Sequence, residues 1–287
     1  MSDYHTPVLR TEVIDALEIE KGKKYIDATL GGAGHTEEIL KRGGIVLGID
    51  TDIDAITEAK QRLQEYTGYT LVQGNFRDIG KIATDNGFLH IDGILFDLGV
   101  SSHQLDTPDR GFSYRFTDAP LDLRMSKDDG DTAAQLVNRM TEGELYECIG
   151  KFSEEQLALP IARALCRSRQ IKKFETVNDI VEVIVKLAGS REHATPILSR
   201  VFQALRIAVN DELGSLKTAL GQVQDILKPD GILVIITFHS LEDRIVKQYM
   251  RGEGWRVITK HPIVASEKEV YENKRSRSAK LRVAKKI

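Results

Sequence analysis

The stretch YIDATLGGAGH, residues 25–35, decides how the rest of the chain is read. A short apolar run ends in an acid, Asp27. Glycines follow at 31, 32 and 34, then His35 and the helix-like TEEILKR. Glycines at the end of a strand let a ligand come close to the backbone. The dinucleotide fingerprint G-x-G-x-x-G starts at Gly32-Ala33-Gly34, but Glu37 stands where its third glycine belongs. A pyrophosphate needs neutral or cationic surroundings at a helix N-terminus, and Asp27 would repel it. A cation suits the acid by Coulomb attraction. S-adenosylmethionine, with a sulfonium, an amino group and no phosphate, fits this loop better than a dinucleotide.

Working outward, short apolar runs alternate with amphipathic ones. KYIDAT, IVLGID, YTLVQGNF and IDGILFDLG read as strands; HTEEILKRG, DAITEAKQRLQEY and DIGKIATDNG read as the helices between them. Apolar runs bounded by Gly and Asp suit a parallel sheet buried on both faces. The order predicts a doubly wound, Rossmann-like α/β domain.

The pattern breaks at Val100, and an irregular stretch rich in Asp, Arg, Pro and Gly runs to about Gly130. Helices follow. Thr141-x-x-Glu144 and Ser153-x-x-Gln156 have the form of capping boxes. Leu157, Ile161 and Leu165 fall on one helical face, as do Ile180, Ile184 and Leu187. The strand pattern resumes at GILVIITFHS, and WRVITKHP and AKLRVAKK read as closing antiparallel strands. The expected organisation is a sheet domain formed by 1–103 and 196–287, with an all-helical domain, 104–195, inserted into it.

Within the sheet domain, polar residues recur at strand ends. Asp50 ends the second strand, where a ribose diol is bound by paired hydrogen bonds. Phe76 follows the third strand and suits an adenine face or edge. Asp97 ends the fourth. Any one of these acids is an ordinary helix-start residue; their joint placement points to a site. Composition is ordinary for a globular chain, with 41% hydrophobic and 29% charged residues and a net charge of −3. Nucleic-acid binding must therefore rest on local patches. No apolar run approaches the ~20 residues that span a bilayer, the N-terminal residues lack a signal pattern, and two cysteines, Cys148 and Cys166, make neither a disulfide framework nor a metal site. A cytoplasmic protein without a membrane partner or a metal is expected.

Several blocks, in order, resemble the RsmH (MraW) family: HTPVLRTEVIDAL, DATLGGAGHTEEIL, DLGVSSHQLDTPDRGFSYRFTDAPLDLRM, FSEEQLALPIARAL, FQALRIAVNDEL, TFHSLEDRIVK and RSRSAKLRVA. The likeness runs from His5 to the C-terminus. It implies S-adenosylmethionine-dependent methylation of N4 of a cytidine in the decoding region of 16S rRNA. The partner it implies is the small ribosomal subunit. It also implies cofactor binding by Ala33, Gly34, His35, Asp50, Phe76, Asp97 and Gln104; His35 and Gln104 come from the resemblance alone. The inserted helices become a substrate-recognition domain. The oligomeric state is open, a dimer included. The chain departs from the family at EHATPILSR, where the linker into the next helix is expected to be rearranged. The segment before RSRSAKLR is also short.

Methyl transfer is an in-line displacement, so alignment and exclusion of water dominate. Cytosine N4 is a poor nucleophile, and an acceptor for its hydrogens would help. Asp97 is the candidate, as amine acceptor or as cofactor ligand. His239, in TFHSLEDR, is a second candidate for the cytosine pocket, with Ser240 and Asp243 beside it; a strand-end hydrogen bond and a helix cap are the plainer readings. For RNA, three features stand out: the basic run RALCRSRQIKK (163–173), the stripe Arg200, Gln203, Arg206 and Asn210, and the C-terminal segment 272–287 with seven Lys or Arg against one Glu. Asp106, Arg110, Asp122 and Arg124 in the irregular stretch pair with one another or meet substrate. Two rival readings are a nicotinamide-dependent dehydrogenase and a non-catalytic nucleic-acid-binding protein on the same fold.

Overall fold

The computed structural model describes residues 7–128 and 130–287. His5 and Thr6 of the first quoted block lie outside the described residues. The chain divides into two compact units, residues 1–99 with 213–287 and residues 100–212.

The first unit starts with α1 (Arg10–Ala16), β1 (Lys24–Asp27), α2 (Gly34–Lys41), β2 (Ile45–Asp50), α3 (Ile53–Arg62), β3 (Tyr69–Gln73), α4 (Ile79–Asp85) and β4 (Ile91–Asp97). The second holds α5 (Ser102–Asp106), α6 (Ala133–Arg139), α7 (Glu142–Ser153), α8 (Ala158–Ile171), α9 (Val177–Ala188) and α10 (Arg191–Asn210). The chain then runs through α11 (Glu212–Ile226), β5 (Leu227–Thr237), α12 (Ser240–Met250), β6 (Trp255–Val257), α13 (Glu267–Glu272) and β7 (Lys280–Lys286).

Among the described residues, seven strands form one sheet in the order β3-β2-β1-β4-β5-β7-β6. β3 to β5 pair in parallel, and β7 runs antiparallel to both β5 and β6. The apolar runs are continuous because both faces are covered. On β4, Ile94 and Phe96 enter one core with Leu47, Ile49, Leu233 and Ile235, against α4, α11 and α12. Leu95 enters the opposite core with Val46, Val234 and Ile236, against α1, α2 and α3. This is the period of two that a pleated strand imposes. Connections leave β1 and β4 in opposite directions, so the carboxyl ends of these neighbours form the topological switch point, where such sheets bind ligands.

The second unit is a helical cluster around Val137, Leu145, Ile149, Ile161, Leu165, Ile180, Ile184, Val201 and Leu205. Thr141 and Glu144 form the capping box expected at the start of α7. Ser153 does not start a helix. It ends α7, and its hydroxyl donates to the Ile149 carbonyl at 2.6 Å. The turn into α8 is held by Glu155 instead, which accepts the Leu157 N–H, and Leu157 is exposed rather than core. The expected boundary at 195 falls inside α10. The stretch EHATPILSR is the start of that helix and not a rearranged linker. Pro196 lies in the second turn of that helix, where its missing N–H removes one hydrogen bond from the ladder. The irregular stretch belongs to this unit. Arg110 is buried and donates to the carbonyls of Arg124 and Met125, and Arg124 clasps Asp122 through two hydrogen bonds at 2.8 and 3.0 Å. Gly111 makes the fold-back possible: its φ is +68°, and a Cβ there would lie 2.2 Å from the Pro120 carbonyl oxygen.

Candidate functional site

Three acids stand at the carboxyl ends of adjacent parallel strands: Asp50 on β2, Asp27 on β1 and Asp97 on β4. They are not equivalent. Asp27 is 1% exposed and turned into the loop that follows it. Its Oδ1 accepts the Thr29 N–H at 3.3 Å and its Oδ2 accepts the Thr36 hydroxyl at 2.8 Å. Burial pushes its carboxyl above the ordinary range, while His35 and these hydrogen bonds pull the other way. Asp27 thus holds the loop together, and its charge acts on the site from behind. Thr29 extends the network, since its hydroxyl oxygen accepts the Asp97 N–H at 2.6 Å. Thr29 and Thr36 were missed by sequence reasoning; hydroxyl side chains flanking a buried strand-end acid were the available signal.

Asp50 faces the loop differently. Its Oδ1 accepts the Asp52 N–H at 2.9 Å and its Oδ2 the Gly31 N–H at 2.8 Å. Two backbone donors fix the carboxylate plane and leave acceptor capacity on both oxygens. Burial pushes this carboxyl up to about 6, against the pull of the two backbone hydrogen bonds.

His35 lies in the first turn of α2, 5% exposed, with its Nε2 3.6 Å from Asp97 Oδ2. Neither ring nitrogen, nor Asp97 Oδ1, has a hydrogen-bond partner among the described residues. A buried polar atom left unpaired costs about 1–3 kcal/mol, so three at one switch point mark a place built for a ligand. The loop between them is tight. Ala33 is left-handed at φ 59°. At Gly34 a Cβ would lie 2.4 Å from Pro7 Cγ, so this glycine admits the protein's own proline. Gly31, at φ +47° with open space at its Cβ position, is where a ligand can approach. Phe76 is half-buried, with its ring edge-on to Phe96 at 5.8 Å and 89°.

The remaining candidates have structural partners. Gln104 is buried in the second unit, where its Oε1 accepts the Ser101 N–H in the capping box of α5. His239 is the N-cap of α12, a place the sequence reading gave to Ser240. Its Nδ1 accepts the Glu242 N–H at 3.4 Å, and Glu242 reaches back to the Phe238 N–H at 2.8 Å. Asp243 takes a bidentate pair from Arg282, at 2.7 and 3.1 Å. Although burial opposes it, the guanidinium holds the Asp243 carboxyl below its ordinary range.

The basic features also divide. In the α10 stripe, Arg200 pairs with Glu155, Gln203 donates to the Phe152 carbonyl, Arg206 clasps Glu212, and Asn210 accepts the Met125 N–H. In the run 163–173, Arg169 donates to carbonyls at the end of α6, and Lys172 pairs with Asp179. The C-terminal segment is a sheet strand, not a tail: Arg282, Lys285 and Lys286 bind Asp243, Glu18 and the carbonyls of Gln224 and Leu227. Arg167, Lys173, Lys274 and Arg277 remain exposed. Among the described residues, no helix is long and apolar enough to cross a membrane.

A 3-2-1-4-5-7-6 sheet with antiparallel β7, and acids at its switch point, is the Rossmann-like fold of S-adenosylmethionine-dependent methyltransferases. The profile of the MraW methylase family matches residues 2–287, and the chain belongs to that family. It is 44% identical to the "Ribosomal RNA small subunit methyltransferase H" of Carboxydothermus hydrogenoformans, over 100% of this chain and 99% of that protein. It is 46% identical to the protein of the same name from Deinococcus radiodurans, covering 97% of this chain and 88% of that one. A Streptococcus mutans protein solved in complex with SAH superposes with a TM-score of 0.50 at 12% identity, covering 99% of this chain and 100% of that chain, which speaks to the fold alone.

Proposed function

We propose that this chain uses S-adenosylmethionine to methylate N4 of a cytidine in the decoding region of 16S rRNA, with the small ribosomal subunit as its partner. The end-to-end match to small-subunit rRNA methyltransferases carries the reading. The site fits the cofactor. Asp50 offers acceptors for a ribose diol, Gly31 leaves its backbone open, and Asp97 Oδ1 and the His35 nitrogens, without partners among the described residues, can take polar ones. When bound, the cofactor supplies an electrophilic methyl group on a sulfonium.

The chain's own residues do the rest. Asp50 anchors the sugar, and Phe76 flanks the base. Ala33, Gly34 and His35 form the loop beneath the cofactor. Asp97 accepts a hydrogen from the amine or binds the cofactor, and its backbone is fixed through Thr29. Gln104 completes the cofactor set, and the helical unit serves substrate recognition. His239 is the lesser candidate for the cytosine pocket; an unchanged single-turnover rate in His239→Ala removes it.

The test is transfer of labelled methyl from S-adenosylmethionine to small subunits lacking the modification. Free rRNA and duplex DNA run alongside, and the product nucleosides are analysed. N4-methylcytidine on the subunits, lost in Asp97→Ala, is expected. A different methylated atom overturns the cytidine reading, and no transfer to any acceptor overturns the enzyme.

A further inference from the structure

The methylated amine must lose a proton, and the first unit contains a pair suited to receive it, buried His35 and half-buried Asp97. His35 and Asp97 face each other at 3.6 Å at the carboxyl edge of the sheet, both with atoms that have no partner among the described residues. A buried imidazole without any hydrogen bond is unusual; the common structural histidine is partnered on at least one nitrogen. His239 of this same chain shows the structural pattern, with Nδ1 bonded to the helix it caps. His35 caps nothing, because the N-cap of α2 is Ala33.

Resting on the methyl-transfer reading, we propose that His35 is the positioning residue that holds Asp97 to receive the proton of the methylated amine. The N4 lone pair forms the new C–N bond as the C–S bond breaks, with the C–S electron pair remaining on sulfur. N4 then releases one hydrogen as a proton to the Asp97 carboxylate. Nε2 of His35, facing Oδ2, shares that proton until it exchanges with solvent. Asp97 lies on one side, and Asp27, on the neighbouring strand, also interacts with the ring electrostatically, as Asp50 does with Asp27. The Asp97 amide is anchored on Thr29 and Asp27 holds Thr36, so both acids are fixed in place around the ring.

Two measurements test this. The first needs no cofactor: the Asp27 carboxyl carbon is followed by NMR against pH in the unaltered chain and in His35→Gln. His35 favours the ionised form of Asp27, so the midpoint of Asp27 should move further up in the variant. An unmoved midpoint means that the ring carries no charge toward these acids, and overturns the proposal. The second is single-turnover methyl transfer by His35→Gln, Asp97→Asn and the double variant. Each single change is expected to slow the step at saturating cofactor by roughly 10²–10⁴-fold, as removal of acid–base help does. The double variant is expected to be no slower than Asp97→Asn, because the two act as one unit. Multiplicative losses would mean two independent roles and overturn the pairing. If His35→Gln does not fold, His35→Asn enters both measurements in its place. Absence of transfer by the unaltered chain overturns the functional reading and this role with it; an unmoved Asp27 in a chain that does transfer methyl overturns this role alone.

Discussion

The carboxyl edge of the sheet and the polar stripe of α10 are built from similar residue types, and they differ in one respect. On α10, Arg200, Gln203, Arg206 and Asn210 each find a partner in their own unit. At the sheet edge, His35 and Asp97 sit beside each other with buried atoms that have no partner among the described residues. A satisfied polar network specifies how helices and loops lock together. An unsatisfied one costs free energy in the empty chain and is kept where a ligand completes it. The sequence reading gave the sheet edge to the cofactor and the α10 stripe to RNA.

The sharpest way to break the comparison is to disturb the satisfied region where it has no slack. Gly111→Ala places a methyl group in a left-handed residue and against the Pro120 carbonyl. Left-handed strain alone costs about 1–3 kcal/mol, and overpacking adds a similar amount. A loss of roughly 2–5 kcal/mol is expected, read as a fall of several degrees or more in the thermal unfolding midpoint. A neutral outcome would mean that the 110–124 fold-back is not part of the stable helical unit.

A second prediction sharpens the ligand side. In its proposed role Asp50 accepts ribose hydroxyls in its ionised form, and its carboxyl is pushed up to about 6. Cofactor affinity should therefore hold above pH 6 and weaken as pH falls through it, by about tenfold between pH 7.5 and 5. Asp50→Asn should weaken binding roughly 10–100-fold at pH 7.5, the worth of hydrogen bonds to a charged group, and should flatten the pH dependence. Calorimetric titration with S-adenosylhomocysteine reads both. The linkage for folding has the opposite sign. With a folded pKa raised from 3.8 to about 6, the empty chain binds this proton more readily than the unfolded chain does. The cost of Asp50 to stability is therefore full above pH 6 and is relieved as pH falls toward 3.8.

Much of the sheet was legible because β1, β2, β4 and β5 are apolar on both faces, and continuous runs bounded by Asp and Gly have few other readings. Strand ends gave Asp50 and Asp97 for the same reason. Partners across long sequence distances were not legible. Nothing local in KLRVAKK says that Arg282 is buried against Asp243, or that Lys286 reaches the end of α11 and the start of β5. A count of charges sees a basic tail where the fold has an inner strand. Ser153-x-x-Gln156 matched a capping box by letters, but the hydroxyl was already committed to the helix before it. That His35 has no partner among the described residues was the least legible of all, because it depends on what the surrounding elements fail to supply.

The smallest expected effect draws the line between satisfied and available charge. Arg200→Gln removes a guanidinium whose partner, the Glu155 side chain, is 3% exposed. It should lower thermal stability, because a buried carboxylate loses its counter-charge. It should change affinity for rRNA less than twofold, since a cation held by an internal acid has little to offer a phosphate. Arg277→Gln should do the reverse. Arg277 is exposed in the short helical turn Lys274–Ser278, and its loss should leave the melting temperature unchanged. If it contacts a phosphate, affinity falls a few-fold and the slope of log affinity against log salt falls by about one. Filter binding of both variants across a salt series separates the two outcomes. A larger rRNA effect from Arg200→Gln than from Arg277→Gln would return the α10 stripe to the nucleic-acid interface and sink the distinction drawn from its partners.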